Sequence, residues 1–316
     1  MSHTLYIIGN GFDLHHGIKS SYCDFYDYMV SKWPNGNHLS SILESFFPAF
    51  DEKGKSLLWC QFEEILGAID EDYVFDQCKL GVDLEKYDNL SRYAYDIEDC
   101  PSGYLASVLS DMDKCFHSWI DSLDILSPKG YHPCLNKDAK DALFFTFNYT
   151  ETLEGVYGIN SNNICHIHGK RHETNYIYGH GNEAGLEIEC DDIVEENAYK
   201  LINDYYLNLH KNVSNIISDN EYFFKIIKAY KIDKIIVSGC SLNDIDLPYF
   251  IRIYSCVKPS AKWYFSVFTP KDYVMIKQIV NRLGINRSLC HTFNSKTTNI
   301  LTDKNFTYEL YIENFG

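Results

Sequence analysis

The sequence predicts an α/β fold built on a mainly parallel, doubly wound sheet, and three observations carry that expectation. Short apolar runs that stop at small or polar residues read as buried strands. Longer stretches between them have helical periodicity, and strands alternating with helices lead to a parallel sheet. Four of the apolar runs end in loops rich in Gly, Asn, His, Ser and Asp. In open α/β sheets, ligands bind beyond the carboxyl ends of the strands.

The strand candidates, in chain order, are residues 5–8, 142–147, 164–167, 235–237 and 263–268. Helical spacing over 21–33 puts Tyr22, Phe25, Tyr26 and Met29 on one face. The same spacing over 57–69 aligns Leu58, Phe62, Ile65, Leu66 and Ile69, and 104–123 follows suit. Residues 34–128 carry helical patterns without a convincing central strand. They are expected to be a helical insertion within a single domain, 1–316, and either cover the site or carry an oligomer surface, or simply complete the core. A second helical block is expected over 193–230. There is no internal repeat and no low-complexity segment.

Composition narrows the function. Of 316 residues, 45% are hydrophobic and 23% charged, which excludes a disordered or collagen-like chain. Asp and Glu number 44 against 28 Lys and Arg, a formal net charge of -16. With no excess of cations to release counterions, binding to nucleic acid or to an anionic membrane surface is not expected, and a nuclease is disfavoured. The 11 cysteines contain no Cys-x-x-Cys pair, so neither a disulfide framework nor a thiolate zinc module is indicated. The N-terminus lacks the layout of a signal peptide, and no window has the run of apolar residues that a bilayer span needs. A reduced, cytoplasmic protein is expected.

Each polar loop has two readings. Gly9-Asn10-Gly11 after the first strand permits a tight turn and close approach of backbone amides to phosphate oxygens, with Gly17 continuing that path; the turn is equally a turn and nothing more. Asp13 suits a ribose contact or a loop-ordering role. Asn148, at the end of the apolar 142–147 run, offers a neutral donor and acceptor for a ribose hydroxyl or a water, or serves as the N-cap of a helix over 149–155. His166 and His168 share one face of their strand, but two nitrogens are too few for a confident metal site. His168 sits at the strand end, where an imidazole can act as a general base, while the deeper His166 is expected to pack or hydrogen-bond. His15, His16 and His180 are weaker candidates. In the loop 239–246, Gly239 allows close contact and Ser241 offers a hydroxyl. Asp246 is a candidate N-cap for a helix over 247–257, and Cys240 has no evident histidine partner to activate it.

The stretch Leu5-Tyr6-Ile7-Ile8-Gly9-Asn10-Gly11-Phe12-Asp13-Leu14-His15-His16-Gly17-Ile18-Lys19-Ser20-Ser21-Tyr22, with Phe145-Thr146-Phe147-Asn148-Tyr149-Thr150-Glu151-Thr152-Leu153-Glu154 and His166-Ile167-His168-Gly169, resembles the AbiH-type bacteriophage abortive infection family. Trp59 and Glu63 fit the same pattern. More distantly, the order of the loops is similar to that of sirtuin-like NAD-consuming domains. Gly9-x-Gly11, Thr146-x-Asn148, His168-Gly169 and Gly239-x-Ser241 stand where those domains carry their conserved loops. Asn10, Asp13 and Thr150 depart from that pattern, Thr150 standing where an Asp is usual, and the four zinc cysteines of sirtuin deacylases are missing.

The resemblance implies a Rossmann-like, sirtuin-like sheet and an anti-phage effector that hydrolyses NAD to nicotinamide and ADP-ribose. His168 and Asn148 would be catalytic, and Gly9, Asn10, Gly11, Asp13, Gly17, Gly239 and Ser241 would hold NAD, the substrate, with no metal required. The alternative is a non-catalytic nucleotide sensor or interaction module. Expected partners are NAD or a related nucleotide, a phage-derived trigger or partner defence protein, and further copies of the chain.

Overall fold

The computed structural model describes residues 3–125, 132, 134–135, 137–188 and 190–295. Six strands form one sheet: β1 (Thr4–Ile8), β2 (Leu143–Thr146), β3 (Ile164–His166), β4 (Lys234–Ser238), β5 (Lys262–Val267) and β6 (Cys290–Asn294). Their order is β3-β2-β1-β4-β5-β6, and every neighbouring pair is parallel. The α/β class expected from the sequence is therefore observed. The chain direction across the sheet reverses between β1 and β4, as in doubly wound sheets. The four strands that end in polar loops are consecutive neighbours.

Burial explains why β1 is central. Leu5, Tyr6, Ile7 and Ile8 are all buried, so this strand is covered on both faces and its sequence reads as a continuous apolar run. Tyr6 stacks on Phe144 of β2 with ring centroids 4.9 Å apart, in a cluster with Ile8, Phe12, Leu153 and Ile236. β6 was not expected. Its buried residues Cys290, Thr292 and Phe293 make a weak apolar signal, and only pairing with β5 at the sheet edge gives them their place.

The chain divides into two compact units. The described residues of Met1–Ser20, Leu123–Tyr176 and Val213–Gly316 form the first, which holds the sheet. Ser21–Ser122 and Ile177–Asn212 form the second, which is helical. Most of the 34–128 stretch lies in the helical unit, and its far end at 126–128 lies outside the described residues. The 193–230 block is three helices, Ile193–Asn208 in the helical unit and Val213–Asp219 and Glu221–Tyr230 in the sheet unit.

Local chemistry sets the helix limits in the second unit. Tyr22–Lys32 begins at a capping box in which Ser21 and Asp24 satisfy each other's backbone amides. The helix expected over 57–69 shrinks to Phe62–Ile65, because the Leu57 amide donates back to the Ala49 carbonyl (2.7 Å) and the segment up to Gln61 is spent in turns. The helix expected over 104–123 starts earlier, at Leu90, where Asn89 caps the Ser91 amide at 2.8 Å, and it runs through Pro101 to Asp121. Phe25 packs on Phe116 and Trp119 at 5.3 and 5.2 Å. In the same unit the fully buried Lys211 ammonium donates to the Glu63 carboxylate at 3.2 Å.

The turn after β1 and the turn after β4 interlock. The Gly9 amide donates to Ser238 O and the Gly11 amide to Gly239 O, both at 2.9 Å. A Cβ on Gly9 would sit 2.6 Å from Gly239 O, and one on Gly239 (φ 72°) would sit 2.4 Å from the Phe12 nitrogen. Gly239→Ala is therefore expected to cost roughly 2–5 kcal/mol, from the left-handed backbone and the clash together. Gly158→Ala, also left-handed (φ 65°) but with nothing within 4 Å of the new Cβ, should cost only about 1–2 kcal/mol. Urea denaturation midpoints of the two variants check this; equal losses would mean that the interlock does not matter.

Candidate functional site

The sheet ladder continues one step past β1, β2 and β3. The Phe147 amide donates to Ile8 O (2.9 Å), and the Ile167 amide to Thr146 O (3.1 Å). Asn148 and His168 each follow immediately, so they stand on neighbouring strand ends, 6% and 5% exposed. Asn148 is not a helix N-cap: the next helix is Thr152–Tyr157, and Glu151 occupies its N-cap position. Asn148 is instead held by its main chain, whose amide donates to Thr146 Oγ1 and whose carbonyl accepts from His166 Nδ1, each at 3.1 Å.

His166 does more than pack. Its Nε2 donates to Glu154 Oε1 at 3.1 Å, so both ring nitrogens are engaged. Burial pushes the Glu154 carboxyl up, but hydrogen bonding and charge from His166 outweigh it and hold the group below its usual value. His168 lies within a box of rings formed by Phe147, Tyr249 and Tyr149, at centroid distances of 5.3, 5.8 and 6.4 Å.

Asp13 joins this cluster from the helix Asn10–His15, and it is 1% exposed. Thr150 Oγ1 donates to its Oδ2 at 2.6 Å, and Thr150 and Thr152 hydroxyls are 2.8 Å apart. Thr150, the position where the resemblance puts a carboxylate, thus binds a carboxylate supplied by the helix after β1. Burial raises the Asp13 carboxyl to about 6, opposed by hydrogen bonds from Thr150, Thr152 and Asn148 and by the charge of His166. Asp13 Oδ1 and Asn148 Oδ1 are buried with no hydrogen-bond partner at normal range among the described residues.

The remaining candidates have other surroundings. The amides of Gly9 and Gly11 are occupied by the β4 turn, so these glycines serve backbone approach between two loops and do not offer those donors to phosphate. Asn10 closes its own loop, its Nδ2 donating to Ser20 O at 2.9 Å and its Oδ1 accepting from Ser20 Oγ at 2.5 Å. Gly17 (φ 78°) ends the helix: its amide bonds Leu14 O and the Ile18 amide bonds Asp13 O, a Schellman cap. Ser241 is exposed, two residues beyond the interlocked Gly239. The Cys240 thiol is pushed far up by burial, which disfavours a nucleophilic thiolate. Asp246 occupies the N-cap position of helix Leu247–Cys256 but makes no side-chain capping bond.

His16 bonds Phe12 O and the Tyr157 hydroxyl (2.7 and 2.6 Å), and burial lowers it. His180 lies in the helical unit, bonded to Tyr206 O at 2.9 Å. Among the described residues, no three His, Cys, Asp or Glu side chains converge as a metal site, and no helix is long and apolar enough to cross a membrane. Sequence reasoning gave Thr152, Glu154 and Tyr249 no part in the site, although Thr152 and Glu154 lie within the 145–154 stretch that carries the family likeness.

The fold and this strand-end cluster define a parallel α/β protein with a buried polar site at the carboxyl edge of its sheet. The family model described as bacteriophage abortive infection AbiH matches residues 5–267, and the chain belongs to this family. It is thereby placed in phage defence by abortive infection. No curated protein and no solved structure matches it.

The raised Asp13 carboxyl has a stability consequence. Below its unfolded value of 3.8 the group is protonated in both states; above about 6 it is ionised in both, and the native state then bears the burial penalty. Stability contributed by this group therefore falls as pH rises from 3.8 to 6, by about 3 kcal/mol for a shift of some two units. Asp13→Asn should lose this dependence, so the difference in melting temperature between wild type and variant should drift in the variant's favour across that interval. A constant difference would contradict the assignment.

Proposed function

We propose that the chain is an abortive-infection effector that hydrolyses NAD. The observation that carries this reading is the meeting of Asn148, His168 and a buried carboxylate at adjacent parallel strand ends. It is supported by the likeness of these loops to NAD-consuming domains. With Gly9 and Gly11 amides engaged, the reading rests on the ribose end of the substrate and not on a pyrophosphate cradle. The bond from the ribose C1′ to the nicotinamide nitrogen breaks, and nicotinamide leaves as a neutral base. Water adds to the oxocarbenium-like carbon, and His168 accepts the proton that water gives up. Asn148 holds a ribose hydroxyl or the attacking water by directed hydrogen bonds. The burial of Asn148 and His168 means that substrate enters only after the site opens, which suits an enzyme that must stay silent until infection.

That same burial favours a second reading, a nucleotide sensor whose ligand binding signals to a partner without turnover. One assay separates the two. Purified protein is incubated with NAD, with and without phage lysate, and free nicotinamide is followed by chromatography. His168→Ala should reduce release by roughly a hundredfold or more, and Asn148→Ala should abolish it, with both variants still folded. No release from wild type, together with loss of phage protection in both variants, would leave the sensor. Full protection by both variants would rule out the site itself.

A further inference from the structure

The Asn148 side chain has two chemically different ends, a donor nitrogen and an acceptor oxygen, and neighbours decide which faces a ligand. Its main chain has no such choice, because Thr146 Oγ1 holds the amide and His166 Nδ1 holds the carbonyl. Only the side-chain amide remains to be set. Asn148 Oδ1 and Asp13 Oδ1 are both buried with no partner at normal range among the described residues, and the Asn148 side chain is one of the hydrogen-bonding groups that hold the Asp13 carboxyl down, which only its amide nitrogen can do. The carboxyl is itself anchored: Thr152 and Thr150 hydroxyls are 2.8 Å apart, and Thr150 donates to Asp13 Oδ2 at 2.6 Å.

We infer that Asp13 is a positioning residue that, as a carboxylate, draws the Asn148 amide nitrogen toward itself and turns Asn148 Oδ1 toward the ligand. A carboxylate only accepts hydrogen bonds, so it selects the nitrogen; a protonated carboxyl donates, competes for Oδ1 and turns the amide the wrong way. The ligand end is thereby specified as a hydrogen-bond donor, a ribose hydroxyl or a water. The inference rests on the hydrolase reading for what that donor belongs to, and on the cluster alone for the orientation. Besides Asp13, the titratable groups facing this space are His168 on the neighbouring strand end, and His166 from β3 and Glu154 from helix Thr152–Tyr157, which pair with each other. Burial raises the Asp13 carboxyl to about 6, so the orientation is expected to change with its proton uptake near that pH.

The test uses the full chain labelled with 15N-asparagine. The side-chain amide pair of Asn148 is identified by its disappearance in Asn148→Ala and followed from mildly acidic to mildly alkaline pH. It should shift with a midpoint near 6 in wild type, lose that shift in Asp13→Asn, and move its midpoint upward in Thr150→Val, where the carboxylate loses a donor. Thr150→Ser, which keeps the hydroxyl, should behave as wild type. In the nicotinamide assay Asp13→Asn should lower kcat by about tenfold or more with little change in KM. An Asn148 pair that ignores pH and both the Asp13 and Thr150→Val substitutions would overturn the inference, whatever the turnover; so would active Asp13→Asn enzyme with unchanged kcat. A titrating Asn148 pair in a protein that releases no nicotinamide would sustain the orientation and sink the hydrolase reading.

Discussion

Two turns that touch through glycine hold the sheet unit together where it matters. β1 and β4 run side by side, and beyond their last paired residues the chains stay in contact, Gly9 bonding Ser238 and Gly11 bonding Gly239. Side chains cannot fit between them: even a methyl group would fall 2.6 Å from a carbonyl oxygen on one side and 2.4 Å from an amide nitrogen on the other. This approach delivers the helix Asn10–His15 at a fixed angle, and with it Phe12 into the core and Asp13 into the polar cluster. A Gly-x-Gly turn that looks like a phosphate cradle in sequence is here a joint between strands.

The cluster that the joint supports is a balance of large opposing effects. Burial penalises the Asp13 carboxylate enough to raise it to about 6, and three hydrogen-bonding side chains and a histidine pull it back. Without the threonine hydroxyls the group would remain neutral over a still wider range. Three buried oxygens of the cluster, on Asp13, Asn148 and Glu154, lack partners at normal range among the described residues, and each such oxygen costs about 1–3 kcal/mol. Under the hydrolase reading proposed above, a ligand bearing donors would recover that energy once the site opens to admit it.

Much of the fold was legible in the residues themselves. The runs 5–8, 142–147, 164–167, 235–237 and 263–268 fall on β1 to β5: β1, β2 and β4 are buried on both faces and so apolar almost throughout, while β5 buries alternate residues, Trp263, Phe265 and Val267. The shared face of Tyr22, Phe25, Tyr26 and Met29 likewise marked the helix Tyr22–Lys32. The edge strand β6 and the long helix through Pro101 were not legible. An edge strand needs only half a face of apolar residues, and a proline is tolerated inside a helix only when packing outweighs the lost hydrogen bond.

By itself the sequence determined the class of fold, the family and the chemical types gathered at the sheet edge: an amide, an imidazole and small residues directly after apolar runs, and a carboxylate one turn further on. Only the tertiary structure decided their duties. It turned Gly9, Gly11 and Gly239 into contacts between loops, Gly17 into a helix cap and His166 into the clamp on Asn148, and it brought Asp13 to Thr150 across 137 positions of chain. The physical reason is that a hydrogen bond is set by distance and angle in space, whereas periodicity along the chain reports only which residues must be buried together.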